Sequence, residues 1–344
     1  MPSVLPPLPV QIVGVSHVAG RYNFTDEDYL NEGADQLHEM GCRVIKVWMT
    51  ALERSYPFNS TWPKKIATLT EMAKLPYFVK LFEKPFSTFI LEAFAPSRKD
   101  DYYLDGASAD DAKREQEEFA ELTTHFLETY KDSGKTFILQ NWESDWALRG
   151  GAPGHDPSPT AVKGMIDWFN ARQAGVDEAR KKAGDRDVAV LHAAEVNHVA
   201  RAMKGEGITV TNEVLPHTKC DLYSYSAYDV KTHEPKEFAA ALDYLASKAP
   251  GGKEKVYVGE YGAPENVVGG PEEQDKRIRS ATETAMHWGA KYIVYWELYC
   301  NEAKEKLKEG ARPDDKDMRG FWLIRPDGSR PPVCDYFIEL WNRQ

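Results

Sequence analysis

Two glutamates stand where the sequence otherwise has the pattern of a buried strand. Glu143 follows the apolar run of FILQNWESDWAL at 137–148, and Glu260 ends the run of VYVGEYGAPEN at 256–266. A buried carboxylate is costly unless it has a partner or a task, so each glutamate alone is either hydrogen-bonded within the fold or part of a site. Two carboxylates at one site can act as acid and nucleophile, because different environments separate their pKa values. We therefore take the pair as candidate catalytic residues.

Eight short apolar runs with helical patterns between them supply the elements that must position these glutamates. Such an order predicts βαβ units and a parallel sheet. The strand-like runs are 10–19, 42–50, 88–95, 135–142, 187–195, 220–228, 255–262 and 291–299. Helical spacing of apolar residues recurs between and after them, in 111–130, 160–183, 236–248, 272–289 and 333–343, and it is weakest after the fifth run.

Eight strand–helix units in 344 residues predict a single (β/α)8 TIM barrel that occupies 1–344. A doubly wound open sheet is the alternative, but no glycine-rich phosphate loop follows any predicted strand. In a barrel the loops after the strands build the active-site face, so Glu143 and Glu260 are expected to meet there. The longest irregular stretches, 98–110, 149–159 and 301–320, all follow predicted strands.

Composition excludes several classes of partner. The net charge is -11 with basic residues scattered among acidic ones, so no phosphate-binding stripe and no nucleic-acid partner are predicted. No apolar run approaches the roughly 20 residues that span a bilayer, so no membrane partner is predicted either. No signal peptide is visible, although a signal peptide that has been removed is an open alternative, so the compartment is not predicted. The oligomeric state is not predicted either. The four widely spaced cysteines are expected to be buried free thiols, at Cys42, Cys220, Cys300 and Cys334.

Aromatic residues at the strand ends favour a carbohydrate substrate. Flat aromatic faces stack on the C–H face of a pyranose, while Asn, Tyr and His side chains hold its hydroxyls. Any one of these rings is as well explained by core packing. Trp296 is the best stacking candidate because polar sequence follows it, and His17 is expected to bind a hydroxyl. The other aromatic residues near strand ends are Trp48, Trp142, Trp146, Tyr228 and Tyr261.

Several short motifs, in order along the chain, resemble the clan of retaining (β/α)8 glycoside hydrolases that includes the family five cellulases and mannanases. GEYG at 259–262 is similar to the clan's nucleophile motif, and SAYD at 226–229 to the strand-six segment whose Tyr touches the nucleophile. YW at 295–296 is similar to the strand-eight segment whose Trp floors the subsite, and GFWLIRPDGSRPPVCDYF at 320–337 to the closing segment. The resemblance implies roles for Glu260 as nucleophile, Glu143 as acid/base, Tyr228 as the residue that orients Glu260, and Asn141 as the partner of the sugar 2-hydroxyl.

The chain departs from this clan at three strands, so its family is not assigned. The usual Asn-Glu dipeptide is Asn141-Trp142-Glu143 here, with one residue inserted. An extended backbone would point Asn141 and Glu143 to the same side, whereas a bulge at this strand end would restore the usual geometry. Lys46 stands where family five usually has an Arg near the nucleophile, and Ser226 where a His is common.

Other acidic and histidine residues compete for roles in the site. Glu195 ends the fifth predicted strand and is a rival acid/base. It ranks second because retention needs a pair about 5 to 5.5 Å apart, which the clan builds from strands four and seven. A hydrogen bond to sugar or to a neighbouring Lys is the role expected for Glu195, and Glu297 has similar status. His192, Glu195 and His198 fit no zinc motif, and strand alternation separates the first two, so no metal site is predicted.

These observations together predict a retaining glycoside hydrolase that cleaves β-linked glycosides or polysaccharides without a metal or organic cofactor. Two alternatives stay open. A non-catalytic carbohydrate-binding TIM barrel would keep the aromatic residues and would need no paired glutamates. A metal-dependent barrel hydrolase or isomerase would need His and Asp clustered at strand ends, which the sequence does not offer. The sugar, the linkage and endo or exo action are not predicted.

Overall fold

The eight apolar runs form eight parallel strands, and strands that are consecutive in the chain are neighbours in the sheet. The structure is a computed structural model that describes residues 12–96, 99, 101–150, 155–308 and 311–343. β8 pairs with β1 and closes the barrel, so the predicted (β/α)8 fold is confirmed. Seven strands lie within their predicted runs, and the fifth extends one residue beyond its run, to Val196; residues 10 and 11 of the first run are outside the described residues. The strands are β1 Val13–Ser16, β2 Val44–Met49, β3 Thr88–Ala93, β4 Thr136–Gln140, β5 Ala189–Val196, β6 Leu222–Ser226, β7 Val256–Tyr261 and β8 Ile293–Tyr295.

Helices connect the strands along the outside of the barrel. Serine caps begin the two longest of them: Ser108 Oγ accepts the Asp111 N–H at 3.1 Å, and Ser158 Oγ accepts the Ala161 N–H at 3.0 Å. The segment after β5, where helical patterning is weakest, forms two short helices, Val199–Met203 and Val210–Glu213, and a 3-10 turn at Leu215–His217. The helices are α1 Tyr29–Glu39, α2 Leu52–Ser55, α3 Leu69–Ala73, α4 Pro76–Glu83, α5 Ala109–Thr129, α6 Ser144–Leu148, α7 Pro159–Ala183, α8 Val199–Met203, α9 Val210–Glu213, α10 Pro235–Lys248, α11 Glu265–Val268, α12 Pro271–Trp288 and α13 Pro332–Trp341. None of these helices is long and apolar enough to cross a membrane.

Strand alternation divides the barrel interior into layers. Successive side chains point to opposite faces of a strand, so every second residue points inward. The lower layer is a separate apolar cluster of Val44, Ile90, Ile138, Ala193, Leu222, Tyr257 and Val294. Two residues further along six of these strands, the inward positions are Lys46, Glu92, Gln140, Glu195, Ser224 and Gly259. A polar layer therefore lies directly above an apolar one, on the side where the strands end.

The main hydrophobic core fills the space between the strands and the helices. Phe137 of β4 is typical of it, with no exposed surface and a ring stacked on Phe126 of α5 at 4.2 Å between centroids. Phe89 of β3 stacks on the Phe137 ring from β4 at 5.2 Å. These contacts attach α5 to the start of β4 and join β4 to β3. The prediction of free buried thiols is confirmed for all four cysteines.

Candidate active site

The loops that follow the strands surround a cavity of about 1360 Å³ at the carboxyl end of the barrel. Both candidate catalytic glutamates line this cavity, Glu143 after β4 and Glu260 on β7. Side chains at or after the ends of β2, β3, β4, β6 and β8 complete the wall. They include Trp48, Phe94, Trp142, Trp146, Tyr228, Trp296 and Phe321. The cavity is thus lined by a carboxylate pair and a ring of aromatic side chains.

The chain leaves β4 by a turn, not by the extended or bulged strand end considered above. β4 stops at Gln140, and Glu143 adopts φ 28° and ψ 71° immediately before α6. The turn presents Trp142 to the cavity with 44% of its surface exposed and brings Glu143 to the same cavity with 9% exposed. The inserted residue is therefore accommodated after the strand has ended.

Asn141 lies between β4 and β5 and does not line the cavity. Its Nδ2 donates to Ser144 Oγ at 2.7 Å, and its Oδ1 accepts the Glu195 N–H at 3.2 Å. Only 1% of Asn141 is exposed. The structure thus places the expected partner of the sugar 2-hydroxyl in a bridge between two strands, because the turn before Glu143 rotates the amide away from the cavity.

Glu143 is a buried carboxyl group with one polar side-chain partner. Ser226 Oγ donates to Glu143 Oε1 at 2.6 Å. Burial raises the pKa of Glu143 to about 7, the Ser226 hydrogen bond opposes this rise, and the charge of Glu195 adds to it. A carboxyl group with this pKa still holds a proton near neutral pH, which is the state that a general acid requires.

A register shift places Glu260 at the cavity. Tyr225 pairs with Val258 but Ser226 pairs with Glu260, so β7 has an extra residue, Gly259, opposite β6. The pairing of β7 with β8 shifts over the same part of β7. A Cβ at Gly259 would lie 1.8 Å from Ser224 Oγ, so a side chain there would displace the Ser224 hydroxyl. A strand irregularity, one of the two alternatives for the end of β4, therefore occurs on β7.

Lys46 is the cationic partner of Glu260. Its Nζ lies 3.4 Å from Glu260 Oε2, 3.0 Å from Glu92 Oε1 and 3.2 Å from Glu195 Oε2. Burial acts to lower the pKa of Lys46, but the three carboxylates raise it well above its usual value, so Lys46 is charged. Burial raises the pKa of Glu260 well above its usual value; the Lys46 charge opposes that rise and the Glu143 charge adds to it. Because Lys46 contacts Glu260 and not Glu143, it favours the anion on Glu260.

Glu195 lies below the cavity and connects residues of the polar layer by hydrogen bonds. Its Oε2 accepts hydrogen bonds from Lys46 Nζ, from Gln140 Nε2 at 3.0 Å and from Ser224 Oγ at 2.8 Å. Its Oε1 accepts the Glu143 N–H at 3.2 Å. Glu195 has no exposed surface and does not line the cavity, so the structure supports the expected bond to a lysine and not a role as acid/base or sugar ligand.

Five of the six aromatic residues predicted near strand ends line the cavity, namely Trp48, Trp142, Trp146, Tyr228 and Trp296, whereas Tyr261 is buried in the core. Trp48 and Trp296 meet edge to face at 5.7 Å between ring centroids. Tyr228 is 42% exposed and packs edge to face on Phe321 at 6.2 Å, and Trp142 lines the same cavity. No hydrogen bond joins Tyr228 to Glu260, and both residues lie in the part of the chain that the structure describes. Tyr228 is therefore available to a ligand.

Two other predicted contacts lie in the packed interior and do not line the cavity. His17 Nε2 is 2.7 Å from the Tyr29 carbonyl oxygen, and burial lowers the pKa of His17 to about 4. Glu297 accepts the Asn301 N–H at 2.9 Å, and burial raises the pKa of Glu297 well above its usual value. Neither side chain has exposed surface. Both were expected at the cavity because they are polar residues near strand ends, but packing against neighbouring loops covers them.

Sequence reasoning missed Glu92 and Gln140. Gln140 Nε2 donates to Glu92 Oε1 at 2.7 Å as well as to Glu195, so it links two of the three carboxylates that contact Lys46. The signal was present, since Glu92 and Gln140 stand two residues after the inward-pointing Ile90 and Ile138. Applying strand alternation across all eight strands would have found them.

Comparison with known proteins identifies solved structures that share this fold. No family model matches the chain, and no curated protein matches its sequence. Solved structures do match. The exo-β-1,4-mannosidase Op5Man5 from Opitutaceae bacterium strain TAV5 has a TM-score of 0.60 at 12% identity, over 96% of this chain and 59% of that one. A GH5_18 protein from Bifidobacterium longum subsp. longum ATCC 55813 has a TM-score of 0.61 at 15% identity, over 96% of this chain and 79% of that one.

Two fungal β-1,4-galactanases were described together, and the match to them has a TM-score of 0.55 at 11% identity, over 97% of this chain and 99% of the galactanase chain. The chain spans less than two thirds of the mannosidase's length. At these identities the likeness shows a shared fold. The fold is the (β/α)8 barrel of the glycoside hydrolases that the sequence motifs resemble.

Proposed function

We propose that this protein is a retaining glycoside hydrolase that cleaves β-linked glycosides by double displacement. The observation that carries the proposal is the placement of Glu143 and Glu260 at one cavity with different partners. Glu143 has a neutral hydroxyl donor in Ser226, whereas Glu260 has the ammonium group of Lys46. This asymmetry favours a proton on Glu143 and a negative charge on Glu260, which is the assignment that acid and nucleophile require.

The two chemical steps follow from these charge states. In the first, a Glu260 oxygen forms a bond to the anomeric carbon while the glycosidic C–O bond breaks and the Glu143 proton moves to the leaving oxygen. In the second, Glu143 takes a proton from water, the water oxygen bonds to the anomeric carbon, and the bond to Glu260 breaks. Trp296 and Trp48 would lie against the sugar rings, and no metal or organic cofactor enters either step.

Trapping of the nucleophile tests the proposal directly. A 2-deoxy-2-fluoro β-glycoside with a good leaving group should label the protein once, and peptide mass spectrometry should find the label on Glu260. Because the structural neighbours include a mannosidase and galactanases, the probes should include manno-, galacto- and gluco-configured sugars. A label on another residue, or a Glu260→Gln variant that turns over normally, would show that the assignment is wrong.

The acid/base assignment has its own test. A Glu143→Ala variant should lose most activity on glycosides with poor leaving groups and recover part of it with azide, which can attack without base assistance. The matched control is Glu195→Ala, which removes the former rival. Azide rescue of Glu195→Ala, and not of Glu143→Ala, would move the acid/base to β5.

A further inference from the structure

We infer that Glu92 is a protonated, neutral carboxylic acid that positions Lys46 toward Glu260. The inference rests on the proposed role of Glu260 as nucleophile. It starts from a shortage of positive charge: one ammonium group lies within 3.4 Å of three carboxyl groups, in a layer where Lys46, Glu92 and Glu195 have no exposed surface. If all three were ionised, the cluster would carry two uncompensated negative charges, and buried charge without a partner is costly.

Hydrogen-bond donors show where the negative charge resides. Four donors point at Glu195, from Lys46, Gln140, Ser224 and the Glu143 N–H, and they occupy both of its oxygens. A proton on Glu195 would displace one of these donors. A proton on Glu260 would disable the proposed nucleophile. Glu195 and Glu260 are therefore the anions of the cluster.

Of the two fully buried carboxyl groups that contact Lys46, Glu92 and Glu195, it is Glu92 that can hold a proton without losing a hydrogen bond. Its Oε1 accepts from Lys46 at 3.0 Å and from Gln140 at 2.7 Å, while its Oε2 is buried with no partner in the structure. The proton therefore belongs on Oε2. Burial raises the pKa of Glu92 to about 7, against the opposing charge of Lys46 and with a further rise from Glu195. Burial raises the pKa of Glu260 as well, so the assignment rests on the hydrogen-bond pattern and on the proposed role of Glu260.

The neutral state matters for Lys46, which has three N–H groups and four oxygen neighbours. The neighbours are Glu92 Oε1, Glu195 Oε2, Glu260 Oε2 and the Gly259 carbonyl oxygen at 3.2 Å. An ionised Glu92 would compete strongly for the ammonium group, whereas a neutral one accepts a weaker bond and leaves more of the Lys46 charge to Glu260. Glu92 therefore acts on the nucleophile through Lys46, as a positioning residue.

Infrared spectroscopy tests the protonation state without any substrate. Below pH about 7, the difference spectrum of wild type minus Glu92→Gln should contain the carbonyl stretch of a carboxylic acid. The matched control, wild type minus Glu195→Gln, should lack that band because Glu195 is ionised. Absence of the band from the first spectrum, or its presence only in the second, overturns the inference. Neither spectrum depends on the glycosidase proposal.

Trapping kinetics test the positioning role. Glu92→Ala removes the acceptor for Lys46 and should slow labelling of Glu260 by a fluoroglycoside about 10- to 100-fold. Glu92→Gln keeps a neutral acceptor oxygen and should restore about 10-fold of that loss. Glu195→Gln should not show such recovery over Glu195→Ala, because an amide cannot accept all four donors. A Glu92→Gln protein that fails to fold, or that is labelled as slowly as Glu92→Ala, overturns the inference. If wild type itself is not labelled, the glycosidase proposal fails instead.

Discussion

The hydrogen bond from Ser226 to Glu143 should set the alkaline limit of activity. A Ser226→Ala substitution removes the 2.6 Å bond, which favours the ionised form of Glu143 and so opposes the rise of its pKa. A hydrogen bond to a charged group contributes about 1.5 to 3 kcal/mol, which corresponds to about 1 to 2 pH units at 1.36 kcal/mol per unit. Glu143 is only 9% exposed, so solvent screening reduces this effect little.

The sign follows from the role of Glu143 as acid. Glu143 must be protonated in the first chemical step, so kcat/KM falls as the pH rises through the pKa of about 7. Without the Ser226 hydroxyl the carboxylate is less stable, the pKa increases, and the alkaline limb of the profile should move to about pH 8 to 9. The assay is kcat/KM against pH for an aryl glycoside with a poor leaving group.

Ser224 offers the matched control for this experiment. It lies two residues earlier on the same strand, and its hydroxyl donates to Glu195, not to Glu143. Ser224→Ala should leave the alkaline limb where it is in wild type. If Ser226→Ala leaves the limb in place, or moves it to lower pH, then the alkaline limb is not the ionisation of Glu143 and the acid assignment is wrong.

Three further substitutions test other parts of the structure. Phe137→Ala should lower the free energy of unfolding by about 3 to 5 kcal/mol in urea titrations, because it empties a fully buried ring site, and a loss below about 1 kcal/mol would contradict the packing described. Asn141→Ala should lower the unfolding free energy by about 1 to 3 kcal/mol with little change in KM, whereas a large KM increase alone would indicate sugar contact. Trp296→Ala should raise KM roughly 2- to 10-fold through lost stacking, and an unchanged KM would remove Trp296 from the binding site.

The barrel could be predicted from sequence because its patterns repeat along the chain. Backbone features that occur once, such as the turn and the register shift at the site, could not be predicted. Apolar runs and helical spacing recur along the chain, so errors at one run do not change the fold inferred from all eight. The orientation of Asn141 instead depends on one turn, in which Glu143 has a positive φ. No glycine or proline in the sequence indicates this turn. The position of Glu260 depends on a register shift at Gly259 that only the neighbouring strands define.

The same distinction applies to the predicted polar residues. Four of the predicted residues that reach the cavity lie just after the ends of their strands. They are Trp142, Glu143, Tyr228 and Trp296. Glu195 has the same residue type as Glu143 but lies one layer lower, where it contacts Lys46. Residue type and proximity to a strand end therefore locate the polar region, and only the depth along the strand separates cavity-lining residues from buried supports.

The close approach of Ser224 and Glu195 to Gly259 has a consequence for the mutational tolerance of the protein. A methyl group at this position would overlap the Ser224 hydroxyl and lie 2.6 Å from Glu195 Oε2. In a saturation library scored for activity, Gly259 would then be about as intolerant of replacement as Glu260, although it has no side chain with which to react. Gly259 and Glu260 would then have the same sensitivity to substitution. Only chemical rescue or trapping would distinguish Glu260, which reacts, from Gly259, whose lack of a side chain leaves space for Ser224 and Glu195.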